Sequence, residues 1–205
     1  MPKIIISRRP FDARRLHEWK RRRPRRFTRG GASQGLQNLL RRKARGRARK
    51  TRRFFGEAYV VGEASIREGY YSSFKWLTNR RFVGVGNFPK GPAQKRQEQL
   101  REALKRHFGQ RRLARLQQAV GTLGRTCKRE LRGKQPTAPD LWFVDRRGSH
   151  RFVEVKLPGD SVAPHQLAGM AAIACVLGGP KVSVEVIELH DDEQVFKRFC
   201  RTLKS

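Results

Sequence analysis

Acidic residues are scarce in this chain: 17 Asp and Glu stand against 48 Lys and Arg among 205 residues, a formal net charge of +31. A chain this basic repels itself unless it meets a polyanion, and nucleic acid is the first partner to consider. Cysteine is also sparse. Cys127, Cys175 and Cys200 form no CxxC pair and leave one unmatched, which argues against a disulfide framework and against a zinc site. Long hydrophobic runs are missing, so the sequence predicts no membrane span. The apolar start Met1-Pro2-Lys3-Ile4-Ile5-Ile6 is too short for a signal segment. We therefore expect an intracellular protein, cytoplasmic or nucleoid-associated, or nuclear in a eukaryote. Aromatics are few in the first quarter of the chain (Phe11, Trp19 and Phe27), so stacking on single-stranded bases is not indicated there.

What is present is unevenly spread. Residues 1–53 carry about +19, residues 54–139 about +12, and residues 140–205 about zero. This predicts an arginine-rich arm (1–53), an accessory segment rich in aromatics and glycine (54–92), and a nearly neutral-ended domain (93–205). Two runs in the arm are read as a phosphate grip of no sequence specificity: Arg21, Arg22, Arg23, Arg25 and Arg26, then Arg41, Arg42, Lys43, Arg45, Arg47, Arg49 and Lys50. Like-charge blocks of this kind pack no core and stay solvated, partly disordered, until neutralised. A solubility or localisation tail is the alternative reading. Short helices are expected at Asp12–Trp19 and Ser33–Leu40.

The chemistry concentrates between Pro139 and Gln166. In Arg151–Leu157, Val153, Val155 and Leu157 alternate with Phe152, Glu154 and Lys156, so a strand would turn the aliphatic set to a core and place Glu154 and Lys156 together on the other face. Leu141–Val144 reads as the preceding strand, closed by the turn Asp145-Arg146-Arg147-Gly148. The hairpin would bring Asp140, at the mouth of the first strand, beside Glu154 and Lys156. Two carboxylates and an ammonium at one point suit a hard divalent cation, which takes oxygen ligands. Taken alone, a Glu and a Lys two apart on a strand mark only a solvated face.

The joint pattern is more specific. Pro139-Asp140, a hairpin, Glu154-Val155-Lys156-Leu157-Pro158-Gly159-Asp160 and a helix carrying Gln166 together resemble the VRR-NUC family of the PD-(D/E)XK nuclease superfamily. Leu157 replaces the usual glycine. The resemblance covers about a quarter of the chain, from Pro139 to Glu188. It implies an α/β fold with a restriction-endonuclease-like αβββαβ core, a mixed sheet flanked by helices. It implies Asp140 and Glu154 as ligands of Mg²⁺ or Mn²⁺, the carbonyl of Val155 as a further ligand, Lys156 as the catalytic lysine and Gln166 as the helix residue facing the site. In the nuclease fold the first core helix often adds an acidic residue. Glu98 is taken for that role, with Glu102 and Glu130 as the other candidates.

Elsewhere the periodicity predicts strands at Ala58–Val61 and Arg81–Val85 and two helices across Ala93–Gly124, with Gly109 at their junction. Thr126–Leu131 is a strand or a helix end. A helix at Ser161–Leu177, a strand at Lys181–Leu189 and a terminal helix at Asp191–Leu203, with Val195, Phe196, Phe199 and Leu203 inward, complete the order. His150 and His165 flank Glu154-Val155-Lys156 but do not suit a hard, oxygen-seeking ion, and His17, His107 and His190 have no spacing that suggests a site.

The function expected from these readings is a Mg²⁺-dependent endonuclease acting on DNA, with RNA not excluded. By the resemblance it would be structure-selective for branched, flap or junction DNA in repair, recombination or mobile-element processing, and it could act as a homodimer. Two alternatives stay open: a non-catalytic basic nucleic-acid-binding protein, and an antibacterial DNase toxin.

Overall fold

In the computed structural model, residues 3–20, 31–45, 54–72, 76–78 and 94–203 are described. Five strands form one sheet, β1 (Ile4–Pro10), β2 (Ile66–Tyr71), β3 (Leu141–Asp145), β4 (His150–Lys156) and β5 (Val182–His190), in the order β1-β5-β4-β3-β2. The β2-β3-β4 meander is antiparallel, while β5 lies parallel to β4 and β1 parallel to β5. The helices are α1 (Ala13–Lys20), α2 (Gly31–Arg45), α3 (Phe55–Glu63), α4 (Gln94–Phe108), α5 (Gln110–Thr126), α6 (Pro164–Leu177) and α7 (Asp192–Thr202).

Strand alternation sorts the core into two layers. Trp142, Val144, Phe152, Val184 and Val186 face α4, α5 and α6, where they meet Leu104, Leu113, Leu116, Met170 and Ile173. Leu141, Phe143, Val153, Val155, Leu157 and Ile187 face the other way, onto Leu36, Leu40, Phe55, Ala58 and Tyr59 of α2 and α3. The mixed sheet with helices on both faces is the α/β, restriction-endonuclease-like architecture expected. Gly109, at φ +76, separates α4 from α5 as predicted.

Several expectations need correction. Ala58–Val61 is not a strand but the middle of α3, whose side chains are buried on nearly every side. A short apolar run suits a buried helix and a buried strand equally, and here packing decides. Of the two readings of residues 126–131, the helix end holds: α5 stops at Thr126 and the chain turns, with no strand. The third strand of the meander is instead β2, and the core order αβββαβ is carried by α3, β2, β3, β4, α6 and β5, with α4 and α5 inserted between β2 and β3.

The basic arm is not wholly outside the core. Ile4–Ile6 begin β1, which pairs along its length with β5, and Phe11, Trp19, Leu36 and Leu40 are buried on the α2–α3 face. The helices expected at Asp12–Trp19 and Ser33–Leu40 are α1 and α2. Arg21, Arg22, Arg23, Arg25, Arg26, Arg47, Arg49 and Lys50, the side chain of Arg45, and the strand predicted at Arg81–Val85 lie outside the described residues. On α7 the apolar stripe turns outward: Phe196 is 67% and Phe199 62% exposed, and Leu203 is exposed as well. The periodicity is real, but no layer of the described chain stands opposite that stripe. No helix among the described residues is long and apolar enough to cross a membrane.

Candidate active site

Strand length creates the site. Pairing between β3 and β4 ends at Leu141↔Val153, yet β4 continues to Lys156. Beyond the end of β3 a notch opens on that edge of β4. The N–H of Val155 donates into it, to Asp140 Oδ2 at 3.1 Å. The N–H and C=O of a strand residue leave on the same side, so the Val155 carbonyl opens into the notch too.

Asp140 is held from behind. Ser72, fully buried at the end of β2, donates its N–H to the Asp140 carbonyl (2.8 Å) and its hydroxyl to the Pro139 carbonyl (2.6 Å). On the far side, Thr137 N–H donates to the His165 carbonyl at 3.0 Å, and Gly169 packs so close that a Cβ there would lie 1.8 Å from the Thr137 oxygen. The loop to Asp140 is thus fixed between β2 and α6.

Glu154 and Lys156 share the α6 face of β4 but are not solvated: they are 2% and 8% exposed. Lys156 Nζ donates to Glu154 Oε1 and to Gln166 Oε1, each at 2.9 Å. The Gln166 amide nitrogen donates back to Glu154 Oε1, and its Oε1 also accepts the N–H of Ala163, which precedes α6. Gln166 therefore serves the helix start, as the third helical residue often does, while it clasps the Glu–Lys pair.

These groups line a cavity of about 370 Å³ with Asp160, Leu157, Phe54, Gly56 and Glu57. Burial raises the Asp140 carboxyl well above the ordinary range, and the charges of Glu154 and Glu57 raise it further, against the Val155 N–H and Lys156. Burial also raises Glu154, opposed by Lys156 and by hydrogen bonding to Asp140.

The structure brings Asp140, Glu154, Val155, Lys156 and Gln166 into one cavity. It does not bring Glu98, which stands on α4 and accepts from Gln94 at 2.9 Å. Glu102 pairs with Arg101 at the surface, and Glu130 is exposed on a turn. The reason is topological. The first core helix is α3, not the inserted α4, and the acidic residue α3 brings is Glu57. Gly56 permits the approach: a Cβ there would stand 2.8 Å from Val155 Cγ1. Reading Ala58–Val61 as a strand hid this residue, and Ser72 had no sequence signal beyond its place before Pro139-Asp140 in space.

Residues 88–187 match the family model described as the VRR-NUC domain. The chain carries a VRR-NUC domain. Comparison with the curated proteins gives no match. A nuclease-type function follows from the VRR-NUC domain, and DNA is the substrate it points to. Glu57, Gly56 and Ser72 fall before the matched stretch, although Gly56 and Glu57 line the same cavity and Ser72 holds the Pro139-Asp140 main chain. Of the arm residues expected to bind nucleic acid, Arg41, Arg42 and Lys43 are described: they lie on α2, and Lys43 Nζ stands over the rings of Tyr71 (4.9 Å) and Phe54 (5.6 Å).

The donor set fits a hard cation. Two carboxylates and a strand carbonyl facing one cavity, with burial raising both acids and the charge of Glu154 raising Asp140 further, are what a divalent ion relieves. Among the described residues no three His, Cys, Asp or Glu side chains form a ready-made cage.

Proposed function

We propose that this protein is a divalent-cation-dependent nuclease that hydrolyses phosphodiester bonds in DNA. The observation that carries this reading is the Glu154–Lys156–Gln166 clasp facing Asp140 across an open cavity. Asp140 and Glu154 would hold Mg²⁺ or Mn²⁺, with the Val155 carbonyl and Glu57 as further oxygen donors. A cation there neutralises charge on the phosphate and acidifies a bound water. Lys156 supplies the charge that does not depend on the cation. An ammonium has three N–H donors, and two are committed to Glu154 and Gln166. The third serves a non-bridging phosphate oxygen or orients the attacking water, and the two fixed bonds pre-organise it for that task. Gln166 keeps Glu154 Oε1 occupied, which leaves the other carboxylate oxygen to the cation.

Selectivity for branched, flap or junction DNA and action as a homodimer belong to the same proposal by family analogy. The test is cleavage of labelled linear duplex, single strand, flap and four-way junction with Mg²⁺ or with EDTA. Wild type cuts only with the cation. Asp140→Ala and Lys156→Ala lose at least about a hundredfold in rate while still binding. Wild-type binding without cleavage under any divalent ion would sink the nuclease reading in favour of a basic binding protein.

A further inference from the structure

The cavity presents a polyanion with a problem. Among the described residues its lining holds the carboxyls of Glu57, Asp140, Glu154 and Asp160 beside the ammonium of Lys156. A nucleic-acid backbone reaching that point needs cations at the rim, supplied by a part of the fold that holds still.

The turn after α5 meets both needs. Residues 127–134 read Cys-Lys-Arg-Glu-Leu-Arg-Gly-Lys. They are wound tightly by main-chain bonds: Leu131 N–H to Cys127 O (2.9 Å), Arg132 to Arg129 (3.0 Å), Gly133 to Lys128 (3.0 Å) and Lys134 to Leu131 (2.9 Å). Leu131 is the buried anchor. Lys128, Arg129, Arg132 and Lys134 are all exposed, and none has an ion-pair partner among the described residues. Arg132 adopts φ +50, a left-handed conformation that a residue with a Cβ holds at a cost. Three residues past the turn, the Thr137–His165 bond ties the segment to the residue before Gln166. Burial lowers the His165 imidazole, and Lys134 and Lys156 lower it further, so His165 lies within the field of both cations.

We propose that the turn Cys127–Lys134 is a phosphate clamp, whose Lys128, Arg129, Arg132 and Lys134 hold the DNA backbone against the α6 lip of the active-site cavity. This rests on the nuclease reading above, and it places a grip on the domain itself rather than only on the arginine-rich arm. Glu130, exposed among the four cations, opposes the contact.

The test measures binding apart from cleavage. A labelled 30-base-pair duplex is titrated with full-length protein in EDTA across a salt series. Each lost phosphate contact reduces the slope of log affinity against log salt by about 0.9. The variant K128Q/R129Q/R132Q/K134Q is expected to lose about 3 to 4 from that slope. In Mg²⁺ its KM rises at least about tenfold while kcat stays within about twofold, the pattern of lost uniform binding. Glu130→Gln binds tighter than wild type. Arg132→Gly separates function from folding: it relieves the left-handed strain, so Tm holds or rises while affinity falls, whereas an arginine with only a structural role would lower Tm. The control is R146Q/R147Q, on the β3–β4 turn at the opposite end of the hairpin from Asp140. A four-site variant that keeps the wild-type slope overturns the clamp. A control that loses as much per charge also overturns it, since the binding is then diffuse. If wild type binds with the expected slope loss in the variant but never cuts, the nuclease reading fails and the clamp stands. Cutting with an unchanged slope defeats the clamp alone.

Discussion

At Asp140 the fold keeps a carboxyl where its ionised form is disfavoured: half-buried at the cavity, and within the fields of Glu154 and Glu57. Its raised value means that the native state holds a proton the unfolded chain has already released, over the range from ordinary aspartate, about 4, up to the folded value. Stability in chelator therefore falls as pH rises through that window. Asp140→Asn removes the charge and keeps an oxygen for the Val155 N–H. Its melting temperature is expected to exceed that of wild type at pH 8 in EDTA, by on the order of 1 kcal/mol in stability, with a flatter pH profile and no cleavage. A variant less stable than wild type at pH 8 would mean that the carboxylate is structural. The residues of this site were partly legible in sequence. Asp140, Glu154, Lys156 and Gln166 lie in one compact pattern, and alternation alone turned Glu154 and Lys156 to one face. Their burial was not legible, because it is α6 and the α3 layer that close the notch, and Glu57 was not, because it comes from a helix more than eighty residues upstream of Asp140.

Two glycines set the spacing of elements around that notch, and they differ in what they face. Gly56 brings α3 onto β4, with the branched side chain of Val155 as its near neighbour. Gly169 brings α6 onto the Pro139 loop, with main chain as its neighbour. A side chain can shift by tenths of an ångström; a hydrogen-bonded peptide cannot without moving its segment. Gly56→Ala is therefore expected to cost about 1–3 kcal/mol, to keep the fold, and to lower cleavage by displacing Glu57. Gly169→Ala is expected to cost more than Gly56→Ala and to displace Asp140 itself. Chemical denaturation of both variants beside cleavage rates checks the order; equal costs would mean that the loop yields as easily as a side chain. At this scale the sequence was readable where a period ran long, as in α4, α5, α6 and β5. It misled where a run was short. Phe54–Val61 fits either element, Ile4–Ile6 shows its role only when β5 offers an edge, and β2 carries Arg67, Glu68 and Gly69 between its apolar ends, so no alternation announces it. The outward face of α7 is the converse: a clear amphipathic pattern with nothing across from it among the described residues.

Over the whole molecule two salt effects act in opposite directions. Printed on a chain of 205 residues, a net charge of +31 makes the folded state repel itself, and screening relieves that repulsion. Screening also weakens ion pairs, but Arg8–Asp192 and Lys197–Glu193 lie at the surface, where such a pair contributes about 0–1 kcal/mol. Shielded pairs, such as His107–Glu68, Arg151–Glu185 and the buried Lys156–Glu154, are screened less. Repulsion among tens of cations should outweigh these few contacts, so the melting temperature is expected to rise between 0.05 and 0.5 M salt as the Debye length shrinks from about 14 to about 4 Å. DNA affinity falls over the same range, because each counterion released from the phosphates gains less entropy in a saltier solution; eight phosphate contacts would give a slope near −7. Melting curves and duplex titrations in one salt series measure both. A melting temperature that falls with salt would mean that ion pairing, not repulsion, dominates the fold, and the neutral balance of residues 140–205 would then be a stabilising network rather than a site kept clear of the binding charge.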